Sequence, residues 1–176
     1  MSSAPSIAVL LQSAILIIAI ILLGAASLND IATRSIPDFA ALGLVIIGTA
    51  ARLADHSAVA ALAGSTSVFI LGAVCWRFGW LGGGDVKLLT ACCWLVPPPL
   101  MPQLVLVTTI AGGVLACLYL ALSYVARMRP APSRATRPRS LARRIGRAEW
   151  WRIRRRASLP YGYAIAVAAL VTLYGA

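Results

Sequence analysis

Long apolar runs broken by short polar turns constrain this chain more than any other feature. Residues 7–28 form a nearly unbroken apolar run. A stretch of about 20 apolar residues is long enough to cross a bilayer. Ala25-Ala26-Ser27 resembles a signal-cleavage site, but no Lys or Arg precedes Arg34. Without that positive flank the run reads as a retained first helix. Further runs follow at 39–51, 57–76, 88–96, 103–126 and from 159 onward. Sixty per cent of the 176 residues are hydrophobic, against about 45–50% in an ordinary soluble domain. The expected fold class is all-α, a polytopic membrane protein with about six transmembrane helices in a single domain spanning 1–176.

The polar turns are as informative as the runs. Asn29-Asp30 ends the first helix, and Pro37 suits the first turn of the second, where its missing N–H needs no partner. Arg52, Asp55 and His56 mark the next turn, and Pro97-Pro98-Pro99 stops the fourth run. A helix over residues 85–96 is about 18 Å long, short of the roughly 30 Å hydrocarbon core. An acid at its start is therefore expected below the membrane surface, in a cavity.

The formal charge of +11 suggests nucleic acid until it is located. Twelve of the sixteen basic residues, and only Glu149 among the acids, lie within 127–158, and the rest of the chain balances four basic against four acidic groups. Placing 30–38, 77–87 and 127–158 on one side collects fifteen of the sixteen basic residues there. By the positive-inside rule that side is cytoplasmic. Leu141, Ile145, Ala148 and Trp151 recur at helical spacing among the arginines, which describes a helix lying on an anionic lipid surface. No nucleic-acid-binding motif accompanies the charge, so membrane lipids are the expected partner and nucleic acid is not.

That topology puts Asp30 and Asp85 on one face, and Gly82-Gly83-Gly84-Asp85-Val86-Lys87 is the most specific stretch in the chain. A charge kept beside lipid marks a functional site by default. Two close carboxylates in a dry site share one proton, so one can take a proton from water while the other polarises a peptide carbonyl. Glycines beside them permit left-handed turns and close approach of a substrate backbone. Each acid also has a structural reading: Asp85 as the N-cap of the fourth helix, which is compatible with catalysis, and Asp30 as a solvated turn residue. Lys87 either pairs with Asp85 or extends to the headgroups. Asp38 reads as a helix-start residue.

Asp30, the Arg34-Ser35-Ile36-Pro37-Asp38 segment, the Gly82–Lys87 block and Pro160-Tyr161-Gly162 together resemble the prepilin peptidases of the GxGD aspartyl protease class, in the short form serving the tight-adherence (Flp) pilus. The resemblance implies an aspartic endopeptidase of the bacterial inner membrane that cuts the basic leader from a pilin or pseudopilin precursor at the cytoplasmic face. It implies Asp30 and Asp85 as the catalytic pair, supported by Gly82, Gly83, Gly84, Lys87, Arg34, Pro37, Pro160 and Gly162. Two positions depart from the family pattern: Asp38, where Asn is frequent, and Tyr163, where Pro is.

Larger relatives carry paired Cys-x-x-Cys motifs and a methyltransferase activity. Here Cys75, Cys92, Cys93 and Cys117 all fall in apolar runs without metal-ligand spacing. They read as small core-filling groups, with no metal, cofactor or methyltransferase expected. His56 reads as a solvated residue of the outer turn. The competing reading is a small proton- or cation-coupled transporter, or a non-catalytic membrane assembly subunit, with the glycines as a helix break. A relative that cuts within membrane spans is a third.

Overall fold

The computed structural model describes residues 7–33, 35–128, 146 and 161–175. In chain order the helices are α1 (Ile7–Thr33), α2 (Asp38–Ala54), α3 (Ala58–Arg77), α4 (Gly83–Leu95), α5 (Met101–Met128) and α6 (Tyr161–Tyr174), with a 3-10 turn at Pro98–Leu100 leading into α5. The described residues contain no strand, and the chain is a polytopic, all-α membrane protein. Among the described residues, three helical stretches are long and apolar enough to cross a membrane: Gln12–Thr33, Ala58–Arg77 and Pro98–Val125. The shorter helices α2, α4 and α6 alternate with them.

Length and burial go together in this arrangement. Helix α4 has only 13 residues, yet Val86, Leu88, Ala91, Cys92, Cys93 and Leu95 are all buried. It packs against α2, α3 and α6, while α1 lies against α2 and α6, and α5 against α6. Helices α3 and α5 instead turn large side chains outward, among them Phe69, Ile70, Leu106, Ile110 and Leu118. Apolar surface of that kind suits lipid, which offers no hydrophobic drive for burying it; close packing of small residues holds such helices together. Helix α6 is lined by buried Gly162, Ala164, Ala166, Ala168 and Ala169. At Gly48 of α2, a Cβ would lie 2.7 Å from the main-chain carbonyl of Trp94, so the two backbones touch there.

Several turns differ from the sequence expectation. Helix α1 does not end at Asn29-Asp30 but continues to Thr33. The Asn29 side chain donates to the Ser35 carbonyl at 2.7 Å, and Asp30 is bonded from α6, so both polar groups are satisfied within a helix. Arg52 lies inside the last turn of α2 and is 7% exposed, rather than standing in a solvated loop. That helix closes with His56 in the left-handed region, φ 56°, its N–H bonded to Leu53 and that of Ser57 to Arg52. Cys92 and Cys93 fill the core as expected, but Cys117 is exposed on α5. The basic segment, including its expected surface helix, lies outside the described residues apart from the last turn of α5 and Gly146.

Candidate active site

The local sequence explains why the glycine block stands where it does. Helix α3 ends in a Schellman arrangement: Gly79 takes φ 75°, its N–H bonds Trp76, and the N–H of Trp80 bonds Cys75. Left-handed backbone is therefore supplied by Gly79, not by the Gly82–Gly84 run. Gly82 is extended, at φ −76° and ψ 144°, and Gly83 and Gly84 already belong to α4. What these glycines supply is room. A Cβ on Gly82 would meet Asp85 Oδ2 at 2.7 Å, and one on Gly84 would meet Ile36 at 3.2 Å. The Ile-Pro turn thus rests directly on the block that carries Asp85.

Asp85 is in the first turn of α4, and the N-cap is Gly82. Its carboxyl accepts a bond from the Gly82 N–H, reaching back to the cap as an acid at the third helical position does. Asp30 is 5% exposed near the end of α1. Its Oδ2 accepts the Gly162 N–H at 3.0 Å, at the start of α6, where unpaired N–H groups attract an anion. A Cβ on Gly162 would fall 2.9 Å from that oxygen. Gly162 is thus small because Asp30 sits on it.

Both acids line one cavity of about 770 Å³, walled by Ser35 and Ile36, by Gly79 to Gly84, and by Tyr161. They are near enough for the charge of one to act on the other. Lys87 and Asp38 also line it, and they pair with each other: Nζ lies 3.0 Å from Oδ1. Lys87 therefore neither pairs with Asp85 nor extends alone, and Asp38 both opens α2 and holds the lysine. Pro37 occupies the N-cap of α2, just before its first turn. Arg34 and Pro160 lie outside the described residues. Among the described residues no cluster of His, Cys, Asp and Glu fit for a metal is present.

The Gly79-Trp80-Leu81 wall was not legible in the sequence as part of the site, and Tyr161 was visible only within Pro160-Tyr161-Gly162, with no role of its own. Gly79, two residues past the last basic group of α3, carried the signal of a helix-terminating glycine. Trp80 stacks on Phe78 at 5.5 Å, with both rings exposed. No local pattern announces that pair.

A comparison with protein-family models matches residues 17–117 to the type IV leader peptidase family. The chain belongs to the type IV leader peptidase family. The matched stretch contains Asp30, the Ile36-Pro37 turn and the whole Gly82–Lys87 block, and stops before Tyr161-Gly162. No curated protein and no solved structure matches the chain. Leader peptidase membership and the apolar helices together make it a membrane protein of the protease class.

Proposed function

We propose that this chain is an aspartic endopeptidase that removes the basic leader from Flp-type prepilins or related pseudopilins, with Asp30 and Asp85 activating a water molecule. The observation that carries the reading is the single cavity lined by both carboxylates in a leader-peptidase chain. The ionised member of the pair takes a proton from water as its oxygen attacks the scissile carbonyl carbon. The protonated member gives its proton to the carbonyl oxygen. When the tetrahedral intermediate collapses, the C–N bond breaks and the departing amine takes a proton from the pair. Each acid accepts a backbone N–H at a helix start, so the two roles belong to the pair rather than to a fixed member.

Trp80 and Leu81 line the cavity and offer an apolar wall to the hydrophobic segment that follows a leader. The inner membrane, with this end of the bundle toward the cytoplasm, is the setting that the charge distribution supports.

Asp30→Asn and Asp85→Asn, each checked for insertion, test the mechanism against a co-expressed precursor. Loss of processing in both is expected. Continued cleavage in either would reject the pair, and strong inhibition by a chelator would favour a metal mechanism.

A further inference from the structure

A second cavity lies at the opposite end of the bundle from the carboxylate pair. It measures about 480 Å³ and is lined by Gln12, Ile15 and Leu16 of α1, Arg52 of α2, Leu95 at the end of α4, and Leu173 of α6. On α1, α2, α4 and α6 these residues sit at the end away from Asp30, Asp38, Asp85 and Tyr161. On α1 alone, Gln12 and Asp30 are 18 residues apart, about 27 Å along the helix. None of its lining residues is shared with the first cavity.

Arg52 makes this cavity chemically unusual. Its side chain is 8% exposed, and a guanidinium is always charged. Nη1 lies 2.7 Å from Oδ2 of Asp55, whose own side chain is 43% exposed. Nη1 makes that ion pair outside hydrogen-bond geometry, and Nε, which is also buried, has no hydrogen-bond partner. Buried donors are almost always satisfied, and a charged one left without an acceptor is costly. The Nε–H is therefore the donor left short of an acceptor, and a phosphate or phosphodiester oxygen would supply one beside the charge.

The remaining walls choose between the sources of such a group. Ile15, Leu16, Leu95 and Leu173 give the cavity an apolar lining. Leu10, Ile17, Ile18 and Ile21, also on α1, are exposed, as lipid-facing residues are. A hydrated free anion would leave that lining against water, whereas a phospholipid covers it with acyl chain. We propose that this cavity binds the phosphodiester of an anionic phospholipid, with Arg52 holding the phosphate, Gln12 at the headgroup rim, and the acyl chain along Ile15, Leu16 and Leu173.

The test uses the full chain in phosphatidylcholine nanodiscs with and without phosphatidylglycerol. Lipid retention is read by native mass spectrometry after detergent release, and stability by thermal unfolding. The wild type should retain phosphatidylglycerol over phosphatidylcholine, whose phosphate is already neutralised by its own choline cation, by on the order of ten-fold, the size of one charge-assisted contact. It should also unfold at a higher temperature when the anionic lipid is present. The basic segment at 127–158 attracts anionic lipid irrespective of Arg52, so the decisive reading is the difference between chains. Arg52→Gln should lose most of the preference.

Gln12→Glu places a carboxylate at the exposed rim without disturbing the buried guanidinium, and it should weaken the preference as well. It decides the matter if Arg52→Gln fails to insert. Equal retention of the two lipids by the wild type, or an undiminished preference in the variants, overturns the proposal. Arg52-dependent stabilisation by inorganic phosphate alone, equal to that by the lipid, would overturn the lipid assignment in favour of a free-anion site.

Discussion

Gly162→Ala tests the site without touching either acid. The added Cβ would stand 2.9 Å from Asp30 Oδ2 and 3.2 Å from both its Cβ and Cγ, where ordinary contact begins at 3.4 Å. Rotating the carboxylate can relieve the first overlap but not the contact with Asp30 Cβ, which the α1 backbone holds. Helices α1 and α6 must therefore part by a few tenths of an ångström, and the 3.0 Å bond from the Gly162 N–H lengthens with them. Overpacking of this kind costs about 1–3 kcal/mol, leaving an inserted but less stable protein.

A misplacement of about 1 Å at a reacting group can cost on the order of 100-fold in rate. A displacement of about half that should lower processing roughly ten-fold or more by the same reasoning. The assay is the initial rate of precursor cleavage in membranes with matched enzyme content. Gly113→Ala on α5, where a Cβ meets nothing within 4 Å, is the control. Wild-type cleavage by Gly162→Ala would refute the claim that Asp30 acts from its seat on α6.

Three further outcomes are expected. Gly48→Ala should lower the melting temperature by several degrees, an overpacking loss of about 1–3 kcal/mol, because its Cβ meets Trp94 main-chain atoms that cannot rotate away; an unchanged midpoint would show that α2 and α4 are not so closely packed. Lys87→Met and Asp38→Asn should each shift thermal unfolding by no more than about 3 °C, since the pair is 60% and 82% exposed and such pairs contribute about 0–1 kcal/mol. A larger drop in either would make the pair structural. At Asp55, partial burial pushes the carboxyl up, but bonds from Ser57 and the Arg52 charge outweigh it and hold it below the usual range. The stability it contributes is present above the unfolded value, about 3.9, and is lost as pH falls through the lower folded value. Asp55→Asn should therefore flatten the acid limb of a melting-temperature profile, and a limb unchanged in slope would contradict the assignment.

Much of this arrangement was legible because its causes are local. Apolar runs of membrane length become helices wherever backbone groups have no water to bond, and prolines and glycines mark their ends. The Gly82–Lys87 block and the Ile36-Pro37 turn were visible as residues, and the fold lays one on the other at Gly84 and Ile36. Contacts between distant residues were not legible. Asp30 stays helical because of an N–H 132 positions away, and Lys87 turns to an acid 49 positions back rather than to Asp85 close by. Arg52 read as a loop residue because periodicity says nothing of which helix end is covered by neighbours.

By itself, then, the sequence determined an all-helical membrane chain, the positions of its acids and the family those residues resemble. Local hydrophobicity and backbone chemistry suffice for that. The tertiary structure alone decided which N–H groups hold the two carboxylates, which partner takes Lys87, and that a buried guanidinium is left short of acceptors. Those outcomes depend on how closely the described helices approach one another, and glycines such as Gly48 and Gly162 set that approach only once their neighbours across the bundle are in place.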